Sequence, residues 1–350
     1  MASGAPVLTV NSTSIDAAKL HASDILSIKD FAESARLTTI PSSYNFIVDP
    51  KDREVADELK AQIPVIDFSL LTSDDPELHA KGVQDLGKAC EEWGFFVLIN
   101  HGIDESLMEN MIKMANQFHN MAPEEKAEFS DNDVTSSIRC GTSYNAKVES
   151  VHFWRDYLKV IMNPDFTFPD KPAGFKDVAK EYCETIKDVV VRTLLRGASE
   201  SLGLEPNAIA EASGFDNGLR LFVANLYPHV LNQSLPWVNH NGKWVNIDNI
   251  PKSIGVNVGD QLEVLTNARY KSVLHRAVLN NKATRLSLGV IHAPEFQKVI
   301  SAAPELLKNE EPVYKSMTYE EYYLVHQKTT LVGKSKLASI RIKPQHDECS

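Results

Sequence analysis

Three hundred and fifty residues, 43% hydrophobic and 24% charged with only 16 glycines, describe a globular chain large enough for one sizeable domain or two modest ones, which excludes disorder and collagen-like repeats. A net charge of -11, with lysines scattered among acids, argues against a nucleic-acid surface. No stretch reaches the roughly 18 to 20 apolar residues of a membrane span, and MASGAPVLTVNSTSIDAAK has no basic stretch followed by an apolar core, so a cytoplasmic monomer acting on small molecules is expected.

In chain order, an amphipathic stretch at Ile28 to Leu37 precedes a prolyl turn at IPSSYNF. Val65 to Phe68, just after Pro64, reads as a short strand. Val83, Leu86, Ala89 and Cys90 recur at helical spacing, and the run GFFVLIN at Gly94 to Asn100 follows as a buried strand. Leu107, Met111, Met114 and Phe118 mark another helix with Asp104 as its N-cap candidate, and Pro123 with Glu124 and Glu125 opens a short one. The segment Tyr144 to Tyr157 alternates His152, Trp154 and Asp156 against Val151, Phe153 and Arg155, the pattern of a strand with unlike faces. Arg155 and Lys159 fit solvated charges as well as they fit a pocket border. A longer helix covers about Phe175 to Leu202 and ends at Gly203.

From Arg220 onward the pattern changes to short strands: RLFVANLY, GKWVNI, SIGVNVGD, YKSVLHRAV and TRLSLGVIHA, with Asn241-Gly242, Asn267 and Asn280-Asn281 as turn signals. Closely spaced strands without intervening helices predict an all-β second half of double-sheet jelly-roll type, and α+β class overall. Four regions result: residues 1–60, an extension with one helix; 61–215, mainly helical; 216–300, the β core; and 301–350, a C-terminal segment and tail. Cys90, Cys140, Cys183 and Cys349 are far apart, which predicts reduced thiols rather than a disulfide or zinc framework.

The chemistry centres on His275, followed ten residues later by Arg285 and then by Ser287. Arg285 and Ser287 fall on one face of a strand, where a planar guanidinium and a hydroxyl together suit a carboxylate. A neutral imidazole at His275 suits a borderline metal. Other signatures are absent or incomplete. Gly333-Lys334-Ser335 lacks a phosphate loop's first glycine, with Lys328 in its place, and there is no G-x-S-x-G, HExxH or G-x-G-x-x-G.

The segments IPVIDFS, CEEWGFFVLINHGI, NLYP, NGKWVNI, VNVGDQLEVLTNARYKSVLHRAV and RLSLGVIHAP resemble the plant 2-oxoglutarate and Fe(II) dependent dioxygenases, the group containing flavanone hydroxylase-like and anthocyanidin synthase-like enzymes. The resemblance spans about residues 35 to 330. It implies a double-stranded β-helix wrapped by an N-terminal helical region and closed by a C-terminal helix near Tyr319 to His326. It also implies Fe(II), 2-oxoglutarate and ascorbate as cofactors, and hydroxylation or desaturation of a small aromatic or hormone-like metabolite. His275 matches the distal histidine ligand of a two-histidine, one-carboxylate iron site. Arg285 and Ser287 match the pair that grips the far carboxylate of 2-oxoglutarate, and Asn225 and Tyr227 match positions that contact the same cosubstrate. His101 and His292 lie in scaffold segments, and residues around Tyr144 to Tyr157 border the substrate pocket.

One departure is severe. The family pattern has a His-x-Asp a little over a dozen residues beyond the NLYP tyrosine, and no His-x-Asp exists in this chain. Only HVLNQSLPWVNH joins NLYP to NGKW, so two iron ligands and about two core strands lack counterparts. Ordinary codons for PPCPQPELAMG, with one base deleted from the first, read PHVLNQSLPWV, the run Pro228 to Val238. This predicts a frameshifted or mis-spliced product, or an inactive relative. His229, His240 and Asp248 are the nearby substitutes to test, and His346 with Glu348 forms a further His-x-acid arrangement in the tail.

Overall fold

The computed structural model describes residues 27–34, 40–41, 44, 56, 62–130, 136–142, 152–163, 165–229, 237–247, 250–277, 283–328 and 336–342. Asp248, Asn280-Asn281, Gly333 to Ser335, His346, Glu348 and Cys349 therefore lie outside the described residues.

The first half is helical with short strands inserted. Helix α1 (Ile28–Ser34) covers the described part of the amphipathic stretch expected at Ile28 to Leu37, residues 35–37 lying outside the described residues, and β1 (Val65–Asp67) leads into α2 (Phe68–Leu71). Helix α3 (Pro76–Glu92) starts where Asp75 accepts from the Glu77 and Leu78 backbone N–H groups and Pro76 occupies the first turn. Strand β2 (Phe95–Ile99) follows, then α4 (Glu105–His119), capped by Asp104 accepting from Ser106 N at 2.7 Å, and α5 (Pro123–Lys126).

Strands β3 (Ile138–Gly141) and β4 (Asp156–Ile161) come next. The strand expected at Tyr144 to Tyr157 is corrected here, because β4 begins only at Asp156 and residues 152–155 are not extended pairing partners. Residues 143–151 of that expectation lie outside the described residues. The long helix is present as α6 (Phe175–Thr185), a π-type turn at Ile186–Val191, α7 (Arg192–Ser201) and Gly203 at φ 72°, followed by α8 (Ala208–Ser213).

The second half holds β5 (Leu219–Tyr227), β6 (Trp237–His240), β7 (Lys243–Asn246), β8 (Ile254–Asn257), α9 (Asp260–Leu265), β9 (His275–Arg276) and β10 (Arg285–Ala293). Then come β11 (Val299–Ile300), β12 (Met317–Thr318), α10 (Tyr319–Lys328) and α11 (Leu337–Ile340). An all-β second half is thus corrected by α9, whose Val264 and Leu265 are buried on a helical rather than an alternating pattern. The expected YKSVLHRAV strand shortens to two residues. Asn241 (φ 50°) and Gly242 (φ 81°) make the tight β6–β7 turn, since two successive positive φ values match the twist of a hairpin.

Strands β10, β5, β4 and β3 form an antiparallel four-stranded sheet in that order. A second sheet runs β7-β6-β9 and a third β1-β2-β8. Four even-numbered side chains of the four-stranded sheet, Leu158, Val160, Phe222 and Ala224, are fully buried, and the half-buried Leu286, Leu288 and Val290 pack on the same core. They meet Leu86, Met111, Phe118, Phe175 and Ala179 from the helices in one core. Burying one face in this way locks the register, because a one-residue slip would turn every apolar side chain outward.

Cys90, Cys140 and Cys183 are free thiols, and burial pushes Cys90 and Cys183 up to about 12. Among the described residues no helix is long and apolar enough to cross a membrane.

Candidate functional site

The locked register decides what the opposite, odd-numbered face carries. Ser287 stands directly opposite Asn225, and Arg285 directly opposite Tyr227. Tyr157 of β4 faces Asn225 from the other side. Directly opposed residues point to the same face of a sheet, so Arg285, Ser287, Asn225 and Tyr227 share one surface. The Arg285 guanidinium carbon lies 5.5 Å from the Tyr227 ring centroid. Arg155 donates from Nη1 to Asn225 Oδ1 at 3.1 Å, and its guanidinium lies over the rings of Phe153 and Tyr157 at 5.1 and 5.8 Å.

Two arginines, an amide and a hydroxyl on a half-buried face are the donor-rich surroundings that an anionic carboxylate requires. Of the two alternatives for Arg155 and Lys159, the solvated charge is corrected. Arg155 is half-buried and orients Asn225, while Lys159 is 9% exposed, with its pKa lowered to about 8 by burial and by the charge of Arg139.

Tyr227 is anchored from behind. It belongs to a small buried cluster with Ile28, Phe31, Tyr44 and Trp154. Phe31 and Tyr44 both meet Trp154 edge-on, at 6.2 and 5.2 Å between centroids, and Trp154 Nε1 donates to the Pro228 carbonyl at 3.2 Å. The Asp156 carboxylate accepts from Ser27 Oγ (3.0 Å), Ile28 N (2.6 Å) and Lys29 N (3.1 Å), which ties the start of α1 to β4. Burial raises the Asp156 pKa, and these three donors oppose the rise. Sequence reasoning placed Trp154 and Asp156 in the pocket region but missed this role, because partners nearly 130 residues apart leave no local signal.

His275 occupies a different setting. It is exposed, opposite Val238 across the β6–β9 pair, with Nδ1 3.5 Å from the Val273 carbonyl. The two suggested substitutes within the described residues do not join it. His240 stacks on Trp93 with centroids 3.8 Å apart and bonds Asn241 through Nε2, and its pKa is lowered by burial and then by Lys271. His229 is exposed and donates its backbone N–H to Thr284 Oγ1 at 3.4 Å. Among the described residues no group of three or more His, Cys, Asp and Glu side chains could hold a metal ion. The approach to His275 is nevertheless firmly seated. Gly94 (φ +61°) packs so closely that a Cβ there would sit 1.9 Å from the Lys271 carbonyl oxygen.

His101 and His292 are packed within the fold. His101 is 5% exposed, with Nε2 3.1 Å from the Lys252 carbonyl and Nδ1 accepting from Ile103 N. His292 lies against the Phe215 ring, and burial lowers its pKa to about 4.

Residues 63–181 match the family described as non-haem dioxygenase in morphine synthesis N-terminal, and residues 221–294 match the 2OG-Fe(II) oxygenase superfamily. A 2-oxoglutarate-dependent dioxygenase 19 from Oryza sativa subsp. japonica is 32% identical over 308 residues, covering 81% of this chain and 91% of that protein. Flavanone 3-dioxygenase 2 from the same organism is 33% identical, covering 75% of this chain and 83% of its own. The structure of JOX2 in complex with 2OG, Fe and JA superposes with a TM-score of 0.76 at 25% identity, covering 91% of this chain and 98% of JOX2.

Proposed function

Because the chain belongs to the 2OG-Fe(II) oxygenase superfamily, a family of 2-oxoglutarate-dependent dioxygenases with the jelly-roll fold and with Fe(II) and 2-oxoglutarate as cofactors, we propose that its odd-numbered sheet face is the cosubstrate site. Arg285 and Ser287 would hold the far carboxylate of 2-oxoglutarate, with Tyr227 and the Arg155-oriented Asn225 beside them. The observation that carries this reading is the register pairing Arg285 with Tyr227 and Ser287 with Asn225 on one face. A pair of parallel guanidinium donors plus a hydroxyl discriminates a carboxylate from a neutral carbonyl by geometry and charge together. The substrate class proposed is a small aromatic or hormone-like plant metabolite. Flavanone 3-dioxygenase 2 and the JA-bound JOX2 support it, and the Phe153 and Tyr157 rings lie against Arg155 beside the grip. Its free cysteines suit a reducing compartment, which supports a cytoplasmic location.

Iron does not fit the described donors as 2-oxoglutarate does. His275 is the family-matched ligand position, and no second or third ligand accompanies it among the described residues. The comparisons give no support to an inactive chain, so the oxygenase reading stands first. A second reading rests on the donor set alone: a relative that retains the dicarboxylate grip without iron-dependent turnover. Purified protein with Fe(II), ascorbate and labelled 2-oxoglutarate separates them. Release of labelled carbon dioxide that Arg285→Ala abolishes establishes the first reading. Binding of 2-oxoglutarate without release establishes the second, and no binding at all overturns the site.

A further inference from the structure

We propose that helix α1 is a positioning element for the cosubstrate grip, with Asp156, Trp154 and Phe31 as positioning residues that set the Arg285–Tyr227 pair. This rests on the reading of Arg285, Ser287, Asn225 and Tyr227 as the 2-oxoglutarate site.

The argument follows the contacts outward from Arg285. Its guanidinium lies over the Tyr227 ring, so the ring plane limits where the guanidinium can sit. Tyr227 is 8% exposed and is the last residue of β5, where the ladder with β10 ends and strand pairing no longer holds it from beyond. What continues from there is held by side chains. Trp154 grips the carbonyl of Pro228, the residue directly after Tyr227. Phe31 of α1 meets the Trp154 ring edge-on, and Ile28 and Phe31 complete the buried cluster that contains Tyr227.

The seven described residues of helix α1 would not hold a helix by themselves in water. Its place depends on docking. Asp156 supplies that docking by accepting two backbone N–H groups of the first turn and the Ser27 hydroxyl, whose oxygen also accepts from Asp30 N at 3.1 Å. A carboxylate is suited to this because it accepts several donors at once and complements the positive end of a helix. Asp156 is the first residue of β4 and stands opposite Leu226, next to Tyr227, so the same strand end ties α1 and abuts the grip. Removing the tie would free Trp154 and the Tyr227–Pro228 corner without touching any residue that contacts 2-oxoglutarate.

The test is 2-oxoglutarate binding by calorimetry on the full chain. Phe31→Ala and Asp156→Asn should each weaken binding about tenfold, the scale expected when a gripping side chain is loosened rather than lost. Glu33→Ala, an exposed change on the same helix, should leave it unchanged. A double-mutant cycle of Phe31→Ala with Arg285→Lys distinguishes positioning from general destabilisation. Coupling through Tyr227 makes the two effects non-additive, and additivity overturns the proposal. Should Asp156→Asn fail to fold, the Phe31 cycle decides. If Arg285→Lys weakens binding while Phe31→Ala and Asp156→Asn bind like the parent, this inference falls and the cosubstrate site stands. If the parent binds no 2-oxoglutarate, the site reading falls and this inference falls with it.

Discussion

At the Arg285 end of the site, side chains from two adjacent nine-residue strands meet on one face, with the main core against the other. At the His275 end, a two-residue strand presents a single exposed imidazole. Both ends lie in segments that resemble the same family, yet only one is assembled as a binding surface among the described residues. A long strand whose alternate residues are buried cannot shift without exposing them, so its polar face inherits the precision of its apolar one. A two-residue strand paired at Val238 has no such lock, and a metal needs donors from several rigid elements at once.

The contrast can be broken or sharpened experimentally. The largest effect is expected for Gly94→Ala, which places a methyl group against the Lys271 carbonyl at a positive φ. A loss of about 3 kcal/mol or more in urea unfolding is expected. It would show that the backbone leading to His275 is tightly built although the ligand set is not. A change below about 0.5 kcal/mol would mean that this corner yields.

Arg285→Ala should weaken 2-oxoglutarate binding by about 100-fold, the scale of losing a charge-assisted pair to a carboxylate. Calorimetry reads this directly, and parent-like affinity would remove the Arg285 end as a grip.

Acid should attack the well-built end through its backing. His119 is 3% exposed, bonds the Ala224 carbonyl behind β5, and is held neutral by burial and by Lys126, its pKa lowered to about 3. The folded state therefore binds fewer protons than the unfolded state between about pH 6.5 and 3. Stability is full above that window and falls as pH drops through it, by about 2 kcal/mol at pH 5 for this one group. His292, lowered to about 4, acts in the same direction. Urea midpoints at pH 7.5 and pH 5 measure the slope, and His119→Gln should flatten it.

The smallest effect is expected at the other end. If the chain keeps the dicarboxylate grip without iron-dependent turnover, His275→Ala should change Fe(II) affinity, titrated anaerobically, by less than about threefold, because one exposed imidazole is a poor site by itself. A tight site that disappears with His275 would show that the remaining donors come from outside the described residues.

Much of this was legible in the chain beforehand. The helices at Asp104 and Phe175, the strands at Gly94 and Arg285, and the turn at Asn241-Gly242 follow from caps, periodicity and positive-φ residues, which act within a few positions. The shared face of Arg285 and Ser287 was readable because alternation is a local property of a strand. The missing His-x-Asp is a property of the residues themselves. Less legible was α9, where NVGD continues a strand-like pattern into DQLEVL before the packing of Val264 and Leu265 selects a helix. The strand placed at Tyr144 to Tyr157 began too early, because alternation around Trp154 reflects a packed corner rather than pairing.

Residue order alone determined the family, the two long strand patterns and the chemistry available at each position, since these depend on identity and short spacing. Tertiary structure alone decided which of those groups meet: that Asp156 holds α1, that Arg155 turns Asn225, and that His275 stands apart from the other histidines. Such contacts join residues separated by tens to more than a hundred positions, and their geometry is set by which apolar faces find each other in the core.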